Sequence, residues 1–250
     1  MTNLSHIIRS FNRFELKYLV TLQQAERFKR DLRAYLTPDH NGDPRGAYNL
    51  ASLYYDGPDY RFYWEKVDGI KFRRKLRIRR YEANGPLAPE SPVFVEIKQR
   101  VDRVTQKRRV QLPYREALRL CNGRELPEHD SRDQAVIEEL AAMIWQYNLR
   151  PASLIRYRRE AWVGSEYDIG LRVTFDTELH YYASLLDPAA VRLDSPYTKR
   201  SLFPPEWIVI EIKVNERIPY WLTELVAAHN LSLTRLSKYC RSIDLAQIPH

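Results

Sequence analysis

Glycine and cysteine are scarce in this chain of 250 residues, at eight and two. With so few glycines and no Walker A loop, a backbone cradle for phosphate is excluded; side chains must hold any anion bound here. Cys121 and Cys240 form no C-x-x-C pair, which excludes a thiolate zinc site and suits a reducing, cytoplasmic setting. The six histidines show no H-E-x-x-H or other metal-type spacing, and no Ser-His-Asp or Cys-His set is evident. No run of about 18 apolar residues is present, so no segment is expected to span a membrane. Met1 to Ser10 lacks the apolar stretch of a signal peptide. Without an internal repeat or low-complexity linker, residues 1–250 read as one domain.

What the chain does have is positive charge and strands. Its formal net charge is +8, which attracts nucleic acid, anionic membrane or polyphosphorylated ligands. Strand-like runs cover 14–20, 48–56, 71–81, 93–100, 105–112, 153–163, 169–177 and 207–215. Asp102-Arg103 makes a charged hairpin turn. A helix is expected from Thr21, whose hydroxyl and Gln24 form a capping box, with Leu22, Ala25, Phe28, Leu32 and Tyr35 as its apolar stripe. Further helices are expected over 113–121, 131–149 and 219–229 and near Ser237, while 179–205 reads as irregular. Strands joined by hairpins and short helices pair antiparallel. The expected class is therefore α+β, an eight-stranded antiparallel barrel with flanking helices.

Residues two apart in a strand share a face. Arg73, Lys75, Arg77 and Arg79 thus lie on one face, opposite Phe72, Leu76 and Ile78. Four like charges so placed repel one another unless anionic oxygens sit between them. The same parity groups Glu15 with Lys17, Glu96 with Lys98 and Arg100, Lys107 with Arg109, Tyr157 with Arg159, Arg172 with Asp176, and Glu211 with Lys213. If these faces point inward, the barrel has a basic lumen. The three Glu-x-Lys pairs add carboxylates, which can ligate a hard divalent cation that bridges to phosphate. Competing readings remain open. A charged strand face is ordinarily a solvated face, each glutamate can be a cross-strand salt bridge, and a basic strand can bind nucleic acid. A nucleic-acid reader would want stacking aromatics beside the cations. Most of the 17 tyrosines sit in runs of mixed polarity. Trp64, Trp145, Trp162, Trp207 and Trp221 read as packing residues, one of which could stack adenine if it stood near an entrance.

Several segments, taken in order, carry a family resemblance. They are Arg13-Phe14-Glu15-Leu16-Lys17-Tyr18, Ser52-Leu53-Tyr54-Tyr55-Asp56, Lys75-Leu76-Arg77-Ile78-Arg79, Val95-Glu96-Ile97-Lys98, Tyr157-Arg158-Arg159, Arg172-Val173-Thr174-Phe175-Asp176, Val209-Ile210-Glu211-Ile212-Lys213 and Leu236-Ser237-Lys238-Tyr239. Together they resemble the polyphosphate polymerase domain of the vacuolar transporter chaperone (VTC) type, in the triphosphate tunnel metalloenzyme superfamily. The resemblance implies a tunnel in which the γ-phosphate of ATP passes to a growing inorganic polyphosphate chain, releasing ADP, with Mn2+ (or Mg2+) as cofactor. It implies catalytic roles for Arg77, Arg79, Arg159, Arg172 and Glu211. Substrate would be bound by Lys17, Arg73, Lys75, Lys98, Lys107, Tyr157, Lys213, Ser237 and Lys238, and metal by Glu211, Glu96 and Glu15. Arg13 stands where the wider superfamily's Glu-x-Glu-x-Lys pattern has its first glutamate, which favours polymerase over hydrolase. The chain is expected to be a stand-alone bacterial version that binds no nucleic acid and has neither the sensing module nor the membrane segment of eukaryotic members. The alternatives are a tunnel triphosphatase and a non-catalytic polyphosphate-binding tunnel. The basic loop from Tyr197 to Phe203 could gate a mouth.

Overall fold

The structure is a computed structural model and describes residues 13–82, 85–102, 104–184, 187–195, 200–215 and 217–246, with backbone alone for Arg13 and Tyr167. Met1 to Ser10, Arg103 of the hairpin turn, and Tyr197 and Lys199 of the suggested gate lie outside the described residues. Eight long strands form one curled sheet: β1 (Arg13–Thr21), β3 (Ala47–Asp56), β4 (Phe72–Tyr81), β5 (Pro92–Val101), β6 (Val104–Pro113), β7 (Arg150–Val163), β8 (Arg172–Tyr182) and β10 (Trp207–Asn215). Two short strands, β2 (Thr37–Pro38) and β9 (Arg200–Ser201), pair with β7 and β8. The order is β1-β10-β8-β7-β3-β4-β5-β6, antiparallel throughout. The path begins at β1 and ends at β6. The sheet curls so far that Lys98 on β5 reaches Glu15 on β1, with 2.6 Å between Nζ and Oε2. Irregularities at Tyr54/Tyr55 and Arg156/Arg158 sit in the middle of the sheet, where extra residues bend the strands.

The alternation read from sequence explains which face is which. Leu76 and Ile78 are fully buried on the convex side and Arg77 lies between them on the concave side. Two convex cores result. One joins Leu53, Leu76, Ile78, Val95 and Ile97 to Ile137, Leu140 and Ile144 of the helix Gln134–Gln146. The other joins Tyr18, Val173, Phe175, Ile210 and Ile212 to Ala25, Phe28 and Leu32 of the helix Leu22–Leu32. A third cluster lies inside the curl. There Tyr239, Cys240 and Ile243 of the C-terminal helix Lys238–Leu245 pack on Leu50, Tyr54, Ile155, Tyr157 and Val209. That helix packs against the concave face of the sheet.

The Thr21–Gln24 capping box is present. The apolar stripe behind it is narrower than expected, because Leu22 and Tyr35 are exposed. The helix Arg61–Val67 was not foreseen; it is entered from Tyr60 at φ 53°, a left-handed conformation that no glycine or asparagine advertises. The segment read as irregular after Leu179 begins inside β8, which runs on to Tyr182. Ile169 lies before that strand and is exposed.

Candidate active site: a cation-lined concavity

Register brings the basic faces together in rows. Lys75 faces Lys98, and Lys98 faces Lys107, so three ammonium groups stand side by side across three strands. Like charges directly opposite one another are destabilising. Each of the three finds a partner off the row. Lys75 donates to Ser237 Oγ at 2.6 Å, Lys98 pairs with Glu15, and Lys107 lies 2.6 Å from Glu96 Oε1. Ser237 is placed to accept because it caps the C-terminal helix, its Oγ also taking the N–H of Cys240.

The acids form two centres. On β5, buried Glu96 takes Arg77 at 2.7–2.8 Å as well as Lys107. Burial pushes its carboxyl up, but Arg77, Arg79 and Lys107 hold it well below the usual range. On the opposite wall stand Glu211 and Asp176. Arg159 donates from Nε and Nη2 to the two oxygens of Asp176, at 2.6 and 2.7 Å, and from Nη2 to Glu211 at 2.9 Å. Lys238 bridges the same two acids at 2.6 and 2.8 Å. Lys17 lies 3.3 Å from Glu211, and Lys213 lies 3.7 Å from Glu211 and 3.8 Å from Glu15. Burial acts against ionisation of Glu211, and Lys17, Lys238 and Arg159 overcome it. For Glu15, burial is overcome by Lys17, Lys98 and Lys213.

Arg79 differs from the other arginines of the expected catalytic set. It is 7% exposed, and its guanidinium donates to the hydroxyls of Ser52 and Tyr157, each at 3.1 Å. Among the described residues it makes no ion pair, whereas Arg77, Arg159 and Arg172 each hold a carboxylate. Lys75 likewise has a hydroxyl partner, and burial lowers its affinity for a proton, with Lys17 and Lys98 adding to the effect. A buried cation with no counter-charge is costly. Arg79 is such a buried cation, and half-buried Lys75 lies two same-face steps away on the strand.

The remaining expected residues fall at the margins. Arg172 sits at one mouth, paired with Asp39 at 2.6 Å and donating to Tyr48 Oη at 2.9 Å. Arg73 sits toward the other end, where burial, Arg100 and Arg235 lower its pKa. Sequence reading passed over Asp176, although it shares a face with Arg172. Only the β7–β8 register, which places it opposite Arg159, reveals its role. Tyr54 was also missed; its hydroxyl accepts from Arg77 at 2.9 Å and its ring stacks on Tyr239.

The fit of a resident metal is decided by the donors. Glu211, Glu96 and Glu15 are each occupied by lysine or arginine, and no group of three His, Cys, Asp or Glu side chains converges among the described residues. As placed, these carboxylates order the cations and do not make a ready metal site.

A strongly curled antiparallel half-barrel whose concave face carries ordered arginines and lysines is consistent with the triphosphate tunnel fold. The chain matches the VTC domain family over residues 12–247 and belongs to that family. A crystal structure from Bacillus halodurans, described as that of a candidate adenylate cyclase, is similar to it with a TM-score of 0.50 at 15% identity, covering 90% of this chain and 95% of that one. At this identity the likeness concerns the fold alone. No curated protein matches the chain in sequence. No helix among the described residues is long and apolar enough to cross a membrane.

Proposed function

We propose that this chain is a cytoplasmic polyphosphate polymerase that transfers the γ-phosphate of ATP to a polyphosphate end. The observation that carries the reading is Arg79, buried without a carboxylate in a tunnel of the VTC family. A triphosphate lying along the tunnel supplies the missing negative charge to Arg79 and Lys75. Mn2+ or Mg2+ enters as the counter-ion of that triphosphate and is part of the substrate.

Phosphoryl transfer asks a protein for positioning and charge neutralisation more than for covalent chemistry. A terminal oxygen of the polyphosphate attacks the γ-phosphorus, the bond from that phosphorus to the β,γ-bridging oxygen breaks, and ADP leaves with the electron pair. Arg79 and Arg77 hold the equatorial oxygens, while Arg159, fixed by Asp176 and Glu211, and Lys238 hold their own positions as charge shifts. The attacking phosphate is already ionised near neutral pH and needs no general base. This favours transfer over hydrolysis, because the lumen acids are tied to cations and are poorly placed to take a proton from water.

The test is phosphorus NMR of the protein with ATP and Mn2+. Signals of internal chain phosphate growing with ADP are expected. Orthophosphate with ADP would make it a hydrolase, and no turnover with retained tripolyphosphate binding would make it a binding tunnel.

A further inference from the structure

The concavity has an aromatic collar at one mouth. Tyr81 ends β4, two residues beyond Arg79 on the same face, a step of about 6.8 Å along a strand. Phe94 is its neighbour on β5, in register with Arg79, and Tyr48 is its neighbour on β3, in register with Arg159. The rings touch in sequence. Tyr48 and Tyr81 have centroids 5.7 Å apart, and Tyr81 meets Phe94 edge-on at 5.8 Å. Cations flank both ends, with the Arg109 guanidinium 4.4 Å over Phe94 and Arg172 on the Tyr48 hydroxyl. Tyr81 remains 36% exposed between its two partners. The C-terminal helix packs further along the concave face, on Tyr54 and Ile155, while rings and phosphate-binding arginines meet at this mouth.

Flat rings on an electropositive rim, one strand step from buried arginines, match a molecule with a π-face at one end and phosphates at the other. We propose that the collar is a nucleobase subsite, with the base of the nucleoside triphosphate stacked against Tyr81 and its phosphates directed inward to Arg79 and Arg159. This rests on the triphosphate reading above and adds to it an orientation. The nucleoside stays at the Tyr81 mouth, and the terminal phosphate points along the tunnel toward Lys75 and Ser237. The rings at this mouth are tyrosine and phenylalanine beside the basic face. Two of the tryptophans stand elsewhere, Trp162 buried in the convex core and Trp221 stacked on Tyr35.

The test compares ATP with inorganic tripolyphosphate, by calorimetric titration of wild type, Tyr81→Ala, Tyr81→Leu and Tyr81→Phe. Tyr81→Leu keeps apolar bulk at the strand end, so a loss seen there as well is not one of folding. The ratio of ATP affinity to tripolyphosphate affinity should fall on the order of tenfold in the Ala and Leu variants and be retained in Phe, because stacking needs only a ring. An unchanged ratio in all three, with both ligands bound, would overturn the subsite and leave the anion tunnel standing. Failure of wild type to bind either ligand would overturn the tunnel reading and the subsite with it.

Discussion

Arg159 and Asp176 face each other across β7 and β8 and share two parallel hydrogen bonds of 2.6 and 2.7 Å, with Asp176 fully buried. The pair sets the geometry of one tunnel wall, because the same guanidinium also holds Glu211. Asp176→Asn removes a charge from between Arg159 and Lys238. Breaking a buried pair by one partner costs about 3–5 kcal/mol. We expect a loss of that order in denaturant unfolding, with tripolyphosphate restoring part of it.

Arg79→Ala removes a lumen arginine that makes no ion pair among the described residues; the variant loses two hydroxyl contacts and part of the field that keeps Glu96 ionised. Stability should change little while turnover falls on the order of 10²-fold, by analogy with removing one oxyanion donor. Arg77→Ala frees buried Glu96 from its main partner and should lose both stability and activity. Steady-state kinetics read beside thermal melts separate the two.

Binding should weaken as pH rises above neutrality. Burial brings Lys213 down to about 7 against the pull of Glu15 and Glu211, and brings Lys107 down to about 8 against Glu96. Burial would raise Tyr54, but Arg77, Arg79 and Lys75 bring it to about 8. Each group becomes one charge more negative on losing its proton, while the terminal phosphate, with a second pKa of about 6, is already ionised there. Tripolyphosphate affinity should therefore fall by up to about tenfold per pH unit for each linked proton. Lys213→Arg should move the onset upward from about pH 7.

Tyr239 donates to Asp56 at 2.5 Å, tying the C-terminal helix to β3. Asp56 also accepts from the N–H groups of Gly57, Phe62 and Tyr63, and burial nevertheless raises it to about 6. Tyr239→Phe should cost about 1–3 kcal/mol, a fall in thermal midpoint of roughly 2–4 °C per kcal/mol for a chain of this size.

Chelation gives a separate check on the acids. EDTA should leave the melting of the free protein unchanged, because Glu15, Glu96 and Glu211 are satisfied by lysine and arginine. Tripolyphosphate at about 100 times its Kd should stabilise the protein by about 2.7 kcal/mol.

The strand faces were legible in the sequence because parity is local. Arg73, Lys75, Arg77 and Arg79 alternate with Phe72, Leu76 and Ile78, and burial of Leu76 and Ile78 on the convex side follows directly. What crosses the tunnel was not legible. Asp176 meets Arg159, Ser237 meets Lys75 and Tyr48 meets Arg172 only through register and curl, which no single segment encodes. The Glu-x-Lys pattern singled out Glu15, Glu96 and Glu211 as metal ligands, with a cross-strand salt bridge as the competing reading. Each acid stands within ion-pair distance of lysine or arginine on another element, a relationship set by register and curl. Four of the 17 tyrosines, Tyr48 and Tyr54 on β3, Tyr81 on β4 and Tyr157 on β7, converge on the basic face, and that convergence too is set by register.

The most direct test of the central claim is a calorimetric titration of tripolyphosphate into the wild-type protein at about 50 and about 200 mM salt. A tunnel of buried cations predicts one site per chain that weakens with salt but persists, because enclosed charges are screened less than surface ones. Absence of saturable binding, or many weak sites lost at the higher salt, would contradict it.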